Sequence, residues 1–159
     1  MAKSCVIQLS SQQLKQLLEH AKNEAKYEVC GLIGGYWKPY DRLAIAAQVE
    51  EVPNVADDRR NQYRMDEQVQ VKLMSRFGAR GMELVGIYHS HPNGPAYPSP
   101  TDIAEATYPD TVYLILSPYD QQSSENDPTL LMENEYRIGA WRMRRGKATT
   151  VEIVVVEEN

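Results

Sequence analysis

Two histidines, His89 and His91, stand two residues apart at the end of an apolar run, Leu84 to Tyr88. Strand side chains alternate faces, so a strand here aims both imidazoles to one side. A Pro/Gly-rich stretch follows, and then Ser99-Pro100-Thr101-Asp102, where Asp102 adds a carboxylate oxygen. Two neutral nitrogens and one carboxylate, with a position left for water, is how a catalytic zinc is held. A closed structural site would need a fourth protein ligand, and the sequence offers no obvious one. A bare His-x-His pair reads more readily as strand-end surface residues; the Ser-Pro-Thr-Asp element shifts that balance. The same donors could also form the facial triad of a non-haem iron oxygenase, which metal analysis would separate from a zinc site.

Hydrolysis at such a metal needs a base that takes a proton from water and later delivers it to the leaving amine. Glu28 begins a glycine-rich strand that could lie beside the histidine strand, which suits a carboxylate outside the metal's own shell. Taken alone, a glutamate at a helix–strand junction reads as solvated. Ser99 has two compatible roles: helix cap, and hydroxyl donor to charge developing on a carbonyl oxygen. Cys30 would share a strand face with Glu28 and reads as a buried structural thiol rather than a nucleophile, because both histidines are better used on metal. Tyr88 and Tyr97 could line a cleft but read first as packing. His20 falls off its helix's apolar stripe, so it is expected at the surface and outside any site. The helical His-Glu-x-x-His motif is absent, CGLIGG lacks the lysine of a phosphate cradle, and two isolated cysteines cannot make a zinc deaminase's Pro-Cys-x-x-Cys.

These residues need elements to position them. A first strand is expected over Cys5 to Leu9, then a helix capped by Ser10 or Ser11 and running to about Lys26, with Leu14, Leu17, Leu18, Ala21 and Ala25 as its stripe. Glu28 to Trp37 and Arg42 to Val52 read as a hairpin, and Pro53 to Asn61 as a polar loop. Asp66 caps a second helix carrying Val69, Leu73 and Phe77, ended by Gly78 and Gly81. The histidine strand follows. Ser99 as N-cap and Pro100 at the first helical position then open a short helix, with Asp102 in its electropositive first turn. Thr111 to Ser117 reads as a buried central strand. The polar stretch from 118 to 134 reads as mobile or as a flap over substrate. Tyr136 to Met143 and Ala148 to Val156 form a last hairpin around Arg145-Gly146. Strands mixed with about three helices imply an α/β sandwich around a mixed sheet, in a single domain spanning residues 1 to 159.

The 159 residues are 42% apolar, which suits one core, and the net charge of −5 argues against a nucleic acid partner. The basic cluster Arg142, Arg144, Arg145 and Lys147 reads as a solvated turn. No apolar stretch is long enough for a membrane span, and no secretory leader is recognisable, so the expected setting is a reduced cytoplasm.

Taken together, these residues resemble the JAMM (MPN+) metalloprotease family of isopeptidases. His89-Ser90-His91-Pro92, the six residues Asn93 to Pro98, and Ser99-Pro100-Thr101-Asp102 match its signature without a gap. Glu28-Val29-Cys30-Gly31-Leu32 looks like the strand bearing the family's catalytic glutamate, and Asn54…Tyr63-Arg64-Met65-Asp66 is similar to its connection into the second helix. The resemblance implies one zinc held by His89, His91 and Asp102 with a water, Glu28 as base and then acid, and Ser99 on the oxyanion. It implies a three-layer α/β sandwich similar to cytidine deaminases. The implied substrate is the C-terminal Gly-Gly tail of a ubiquitin-like protein, with a bacterial or archaeal sulfur carrier favoured over a deubiquitinase role. A module that binds such a tail without cutting it is the non-catalytic alternative, and intact Glu28 and Ser99 weigh against it.

Overall fold

In a computed structural model of the chain, which describes residues 4–118 and 127–158, Ser10 both ends the first strand and starts the first helix. Its hydroxyl accepts from the Gln13 backbone N–H at 3.1 Å, while the Gln13 side chain accepts from the Ser10 N–H at 2.9 Å. This reciprocal cap satisfies two of the helix's free donors. The strand is β1 (Val6–Ser10) and the helix α1 (Ser11–Asn23). The helix stops one turn short of Lys26, so Ala25 lies beyond it and is exposed.

The remaining elements are β2 (Cys30–Lys38), β3 (Leu43–Val52), α2 (Glu67–Ala79), β4 (Glu83–Ser90), α3 (Pro100–Glu105), β5 (Val112–Pro118), β6 (Leu131–Glu133), β7 (Tyr136–Arg144), β8 (Lys147–Thr150) and β9 (Glu152–Val156). Among the described residues the sheet runs β6-β7-β5-β4-β2-β3-β1-β9, with β8 also paired to β7. It is mixed: β4 lies parallel to β5, and β1 parallel to β3 and β9, while the other pairings are antiparallel.

Alternation along the central strands builds two apolar faces. Val112, Leu114 and Leu116 of β5 pack with Leu14, Leu17, Leu18 and Ala21 of α1, whereas Tyr113 and Ile115 pack with Leu73 and Phe77 of α2. The chain is therefore an α/β sandwich of three layers, with α1 on one face of the mixed sheet and α2 on the other. A bulge where β2 meets β4, between Ile33 and Gly34, shifts the register. It leaves Tyr88 facing α1 and Ile87 facing α2, so His89 falls on the α2 face.

Three expectations change. Of the segment 118 to 134, expected to be mobile or a flap, residues 119–126 lie outside the described residues; Leu131–Glu133 forms a short strand on β7. The expected last strand divides at Val151. Its N–H donates to the Ala140 carbonyl, and that of Glu152 to Cys5, so β8 stays on β7 while β9 joins β1. Arg142 is not solvated but buried, and it reaches Asp110 together with Arg144. No helix among the described residues is long and apolar enough to cross a membrane.

Candidate metal centre

His89 lies in the body of β4, with Cys30 of β2 and Ile115 of β5 as its register partners, and it is fully buried. His91 follows the strand's end, where its N–H donates to the Leu116 carbonyl at 2.8 Å. Asp102 arrives from α3. Ser99 caps that helix by accepting from the Asp102 N–H at 3.0 Å, and the Ser99 N–H returns a bond to Asp102 Oδ2 at 2.9 Å. The cap that starts the helix thus also fixes the carboxylate.

The three side chains meet at one point. The two Nε2 atoms are 3.0 Å apart, and Asp102 Oδ2 lies 3.3 Å from that of His89 and 3.1 Å from that of His91. His91 Nδ1 is 2.8 Å from the Pro95 carbonyl, which can only accept, so a neutral His91 carries its hydrogen there and presents a bare lone pair at Nε2. A carboxylate oxygen and that lone pair, converging on the buried Nε2 of His89, form a donor set that a cation would satisfy. A tetrahedral zinc with ordinary bond lengths would separate its ligand atoms by about 3.4 Å, close to the spacing present. The residues fit the metal their types imply.

A Glu28 carboxylate oxygen lies within 4.8 Å of the ligand nitrogens of both histidines, so Glu28, His89 and His91 also form a group that could hold a metal. Asp102 is in direct contact with both imidazoles, so it is the better third donor. Burial pushes the Glu28 carboxyl up to about 7, with His91 pulling the other way and Asp102 and Asp58 adding to the rise. Burial also lowers the pKa of His89 and disfavours the Asp102 carboxylate, but the imidazoles and the Ser99 N–H hold Asp102 far below the usual carboxylate range. His91 is raised despite its burial by Asp102 and Pro95. Cys30, deprived of water and next to Glu28, is pushed up to about 12 and remains a thiol that donates to the Val52 carbonyl.

Ser99 lines two cavities that open here. One, of about 370 Å³, also borders Glu28, Tyr63 and Asp102. The other, of about 300 Å³, borders Glu28, His91, Gly94 and Tyr97. Because Ser99 Oγ accepts in the cap, its own hydrogen stays available to a third group.

The structure therefore brings His89, His91, Asp102, Glu28 and Ser99 to one place. It corrects His20, which is 6% exposed rather than at the surface. His20 Nδ1 lies 2.7 Å from the Tyr88 hydroxyl, on the α1 face of the sheet, because the flank of α1 rests on the sheet instead of facing solvent. Burial lowers its pKa against the opposing pull of Glu51 and Glu24. Tyr88 accordingly lines no part of the cleft, whereas Tyr97 does. Sequence reasoning gave no role to Ser90 or Asn54. Ser90 Oγ accepts from the Val29 N–H at 2.9 Å and so ties the histidine strand to the residue after Glu28. Asn54 was marked by its strand-end position before a polar loop and by the stretch that resembles the family's connection into the second helix, neither of which gave it a partner.

The chain belongs to the prokaryotic homologs of the JAB domain, whose family model matches residues 10–132. It is 34% identical to the desampylase of Haloferax volcanii over 70% of this chain and 81% of that protein. It is 27% identical to the CysO-cysteine peptidase of Mycobacterium tuberculosis over 96% of this chain and 93% of that one. Among solved structures, protein DSY2949 from Desulfitobacterium hafniense superposes with a TM-score of 0.77 at 25% identity, covering 96% of this chain and 94% of its own.

Proposed function

We propose that this chain is a zinc metallopeptidase that hydrolyses the bond after the C-terminal Gly-Gly of a ubiquitin-like sulfur-carrier protein, acting as a single domain in the cytoplasm. The observation that carries the reading is the convergence of His89, His91 and Asp102 within 3.0 to 3.3 Å of one another, beside the Glu28 carboxylate. Two relatives named for cutting such proteins, a desampylase and a CysO-cysteine peptidase, support the substrate class.

His89, His91 and Asp102 would hold the metal. When bound, zinc acidifies a water and polarises the scissile carbonyl. Glu28 takes the proton from the attacking water and hands it to the departing amine. A carboxyl raised by burial toward neutrality suits both steps, because it neither holds nor releases a proton too firmly at working pH. The Ser99 hydroxyl, free to donate, stabilises the carbonyl oxygen as charge builds on it. The two cavities meeting at Glu28 and Ser99 receive the chain on either side of the broken bond. Glycines at the cut pass between these walls without a side chain to accommodate.

The test offers zinc-loaded protein a panel of sulfur carriers extended beyond Gly-Gly, together with one isopeptide-linked conjugate, and reads products by mass spectrometry. A single cut directly after the second glycine is expected. Intact carriers throughout, with zinc bound, would falsify the assignment and leave a tail-binding module.

A further inference from the structure

Glu28 precedes β2, and while Ser90 of β4 holds its neighbour Val29, its own backbone groups bond elsewhere. Its N–H donates to the Arg59 carbonyl at 2.7 Å, and its own carbonyl accepts from Asn54 Nδ2 at 2.8 Å. Both partners belong to the loop from Pro53 to Asp66. That loop is closed at its neck by the Val55 N–H on the Arg64 carbonyl, by the Asp66 N–H on the Pro53 carbonyl, and by a bridge between Asn54 and Met65. Asn54 organises it from within: Nδ2 also donates to the Gln62 carbonyl at 2.9 Å, and Oδ1 accepts from the Ala56 and Arg64 N–H groups at 3.0 Å each. Two donors and two acceptors exhaust an amide's capacity.

The same loop reaches the metal centre. The Tyr63 ring stacks on His89 with centroids 4.4 Å apart and planes 24° from parallel. His89 Nδ1 is buried and has no hydrogen-bond partner among the described residues. A metal-binding histidine is usually oriented by an acceptor on its second nitrogen. Here no such acceptor is present among the described residues, and the Tyr63 ring lies against the imidazole face.

We infer that the 53–66 loop is one positioning device acting on two parts of the site: Asn54 sets the place of Glu28, and Tyr63 sets the plane of His89. The kinetic half rests on the proposed peptidase reading; the metal half does not. The two arms separate on substitution. Asn54→Ala, with the loop neck still closed, should leave zinc affinity within about threefold of wild type. It should lower kcat per zinc-loaded site about tenfold or more, with little change in KM, and speed hydrogen exchange at the Glu28 amide. Asn54→Asp, which keeps the acceptor but turns an oxygen toward two carbonyls, should act in the same direction. Tyr63→Leu should weaken zinc binding about 10- to 100-fold by chelator competition, and Tyr63→Phe, which keeps the ring, should restore it. Wild-type kcat in Asn54→Ala, or parallel loss of zinc and turnover there, overturns the first half. Wild-type zinc affinity in Tyr63→Leu overturns the second. If the unaltered protein cleaves no carrier, the peptidase reading fails, while zinc affinity and Glu28 amide exchange still decide the positioning.

Discussion

Glu28 and Asp102 are two carboxylates a few ångströms from the same imidazoles, driven in opposite directions. Asp102 accepts from the Ser99 N–H, lies against two imidazoles and stays ionised; Glu28 has burial and neighbouring acids, and its carboxyl rises to about 7. That division suits one to the proposed ligand role and the other to the proposed proton carrier's. Glu28→Gln should keep zinc yet lose about two to four orders of magnitude in kcat, read by steady-state cleavage beside metal analysis. Retained turnover would remove Glu28 from its role. The same shift has a consequence for stability without metal. A carboxyl whose folded pKa is raised favours the folded state below its ordinary value of 4.5 and loses that contribution as pH climbs through about 7. Metal-free Glu28→Gln should therefore gain thermal stability over metal-free wild type as pH rises from about 5 to 8. Melting curves that keep a constant separation would contradict the assigned shift.

The order of elements was readable because each start or stop has a local cause. Ser99 before Pro100, with Asp102 at the third helical position, is a cap written in three residues, and α3 begins there. His89 and His91 share a side through the period of a strand. Other features depend on distant partners and left little local trace. The division of the last strand at Val151 exists because β7 and β1 compete for its two halves. His20 looked solvent-exposed from helical period alone, since only the tertiary position of Tyr88 explains its burial. The glycines of β2 sit between these cases: legible as close approaches, silent about what approaches. At Gly31 a Cβ would lie 2.2 Å from the Tyr88 ring and 2.4 Å from the Glu50 carbonyl oxygen. Gly31→Ala should thus cost about 1–3 kcal/mol or more by forcing β2 from β3 and β4, measurable by denaturant unfolding. An unchanged midpoint would show that the sheet yields freely there.

Across the whole molecule, the candidate metal centre joins parts that otherwise have separate supports: β4 in the middle of the sheet and α3 on a connecting loop. Binding energy at the junction should appear as folding stability, because the unfolded chain does not hold the three donors together. At zinc concentrations about a hundredfold above Kd this amounts to about 2.7 kcal/mol, or roughly 5–10 °C in Tm for a chain of this length. Removing metal with a chelator should lower Tm by that amount in the wild type and have no effect in His89→Ala. Equal shifts in both would place the stabilising metal elsewhere. The family match and the architecture rest on most of the chain, whereas the proposed substrate rests on a cleft walled largely by loops.

X-ray absorption at the zinc edge of the loaded wild-type protein bears most directly on the convergence of His89, His91 and Asp102. One zinc per chain is expected, with only nitrogen and oxygen neighbours at about 2.0–2.2 Å and the scattering pattern of two imidazoles. A sulfur neighbour at about 2.3 Å, which would bring Cys30 into the shell, or a protein that takes up no zinc at all, would contradict it.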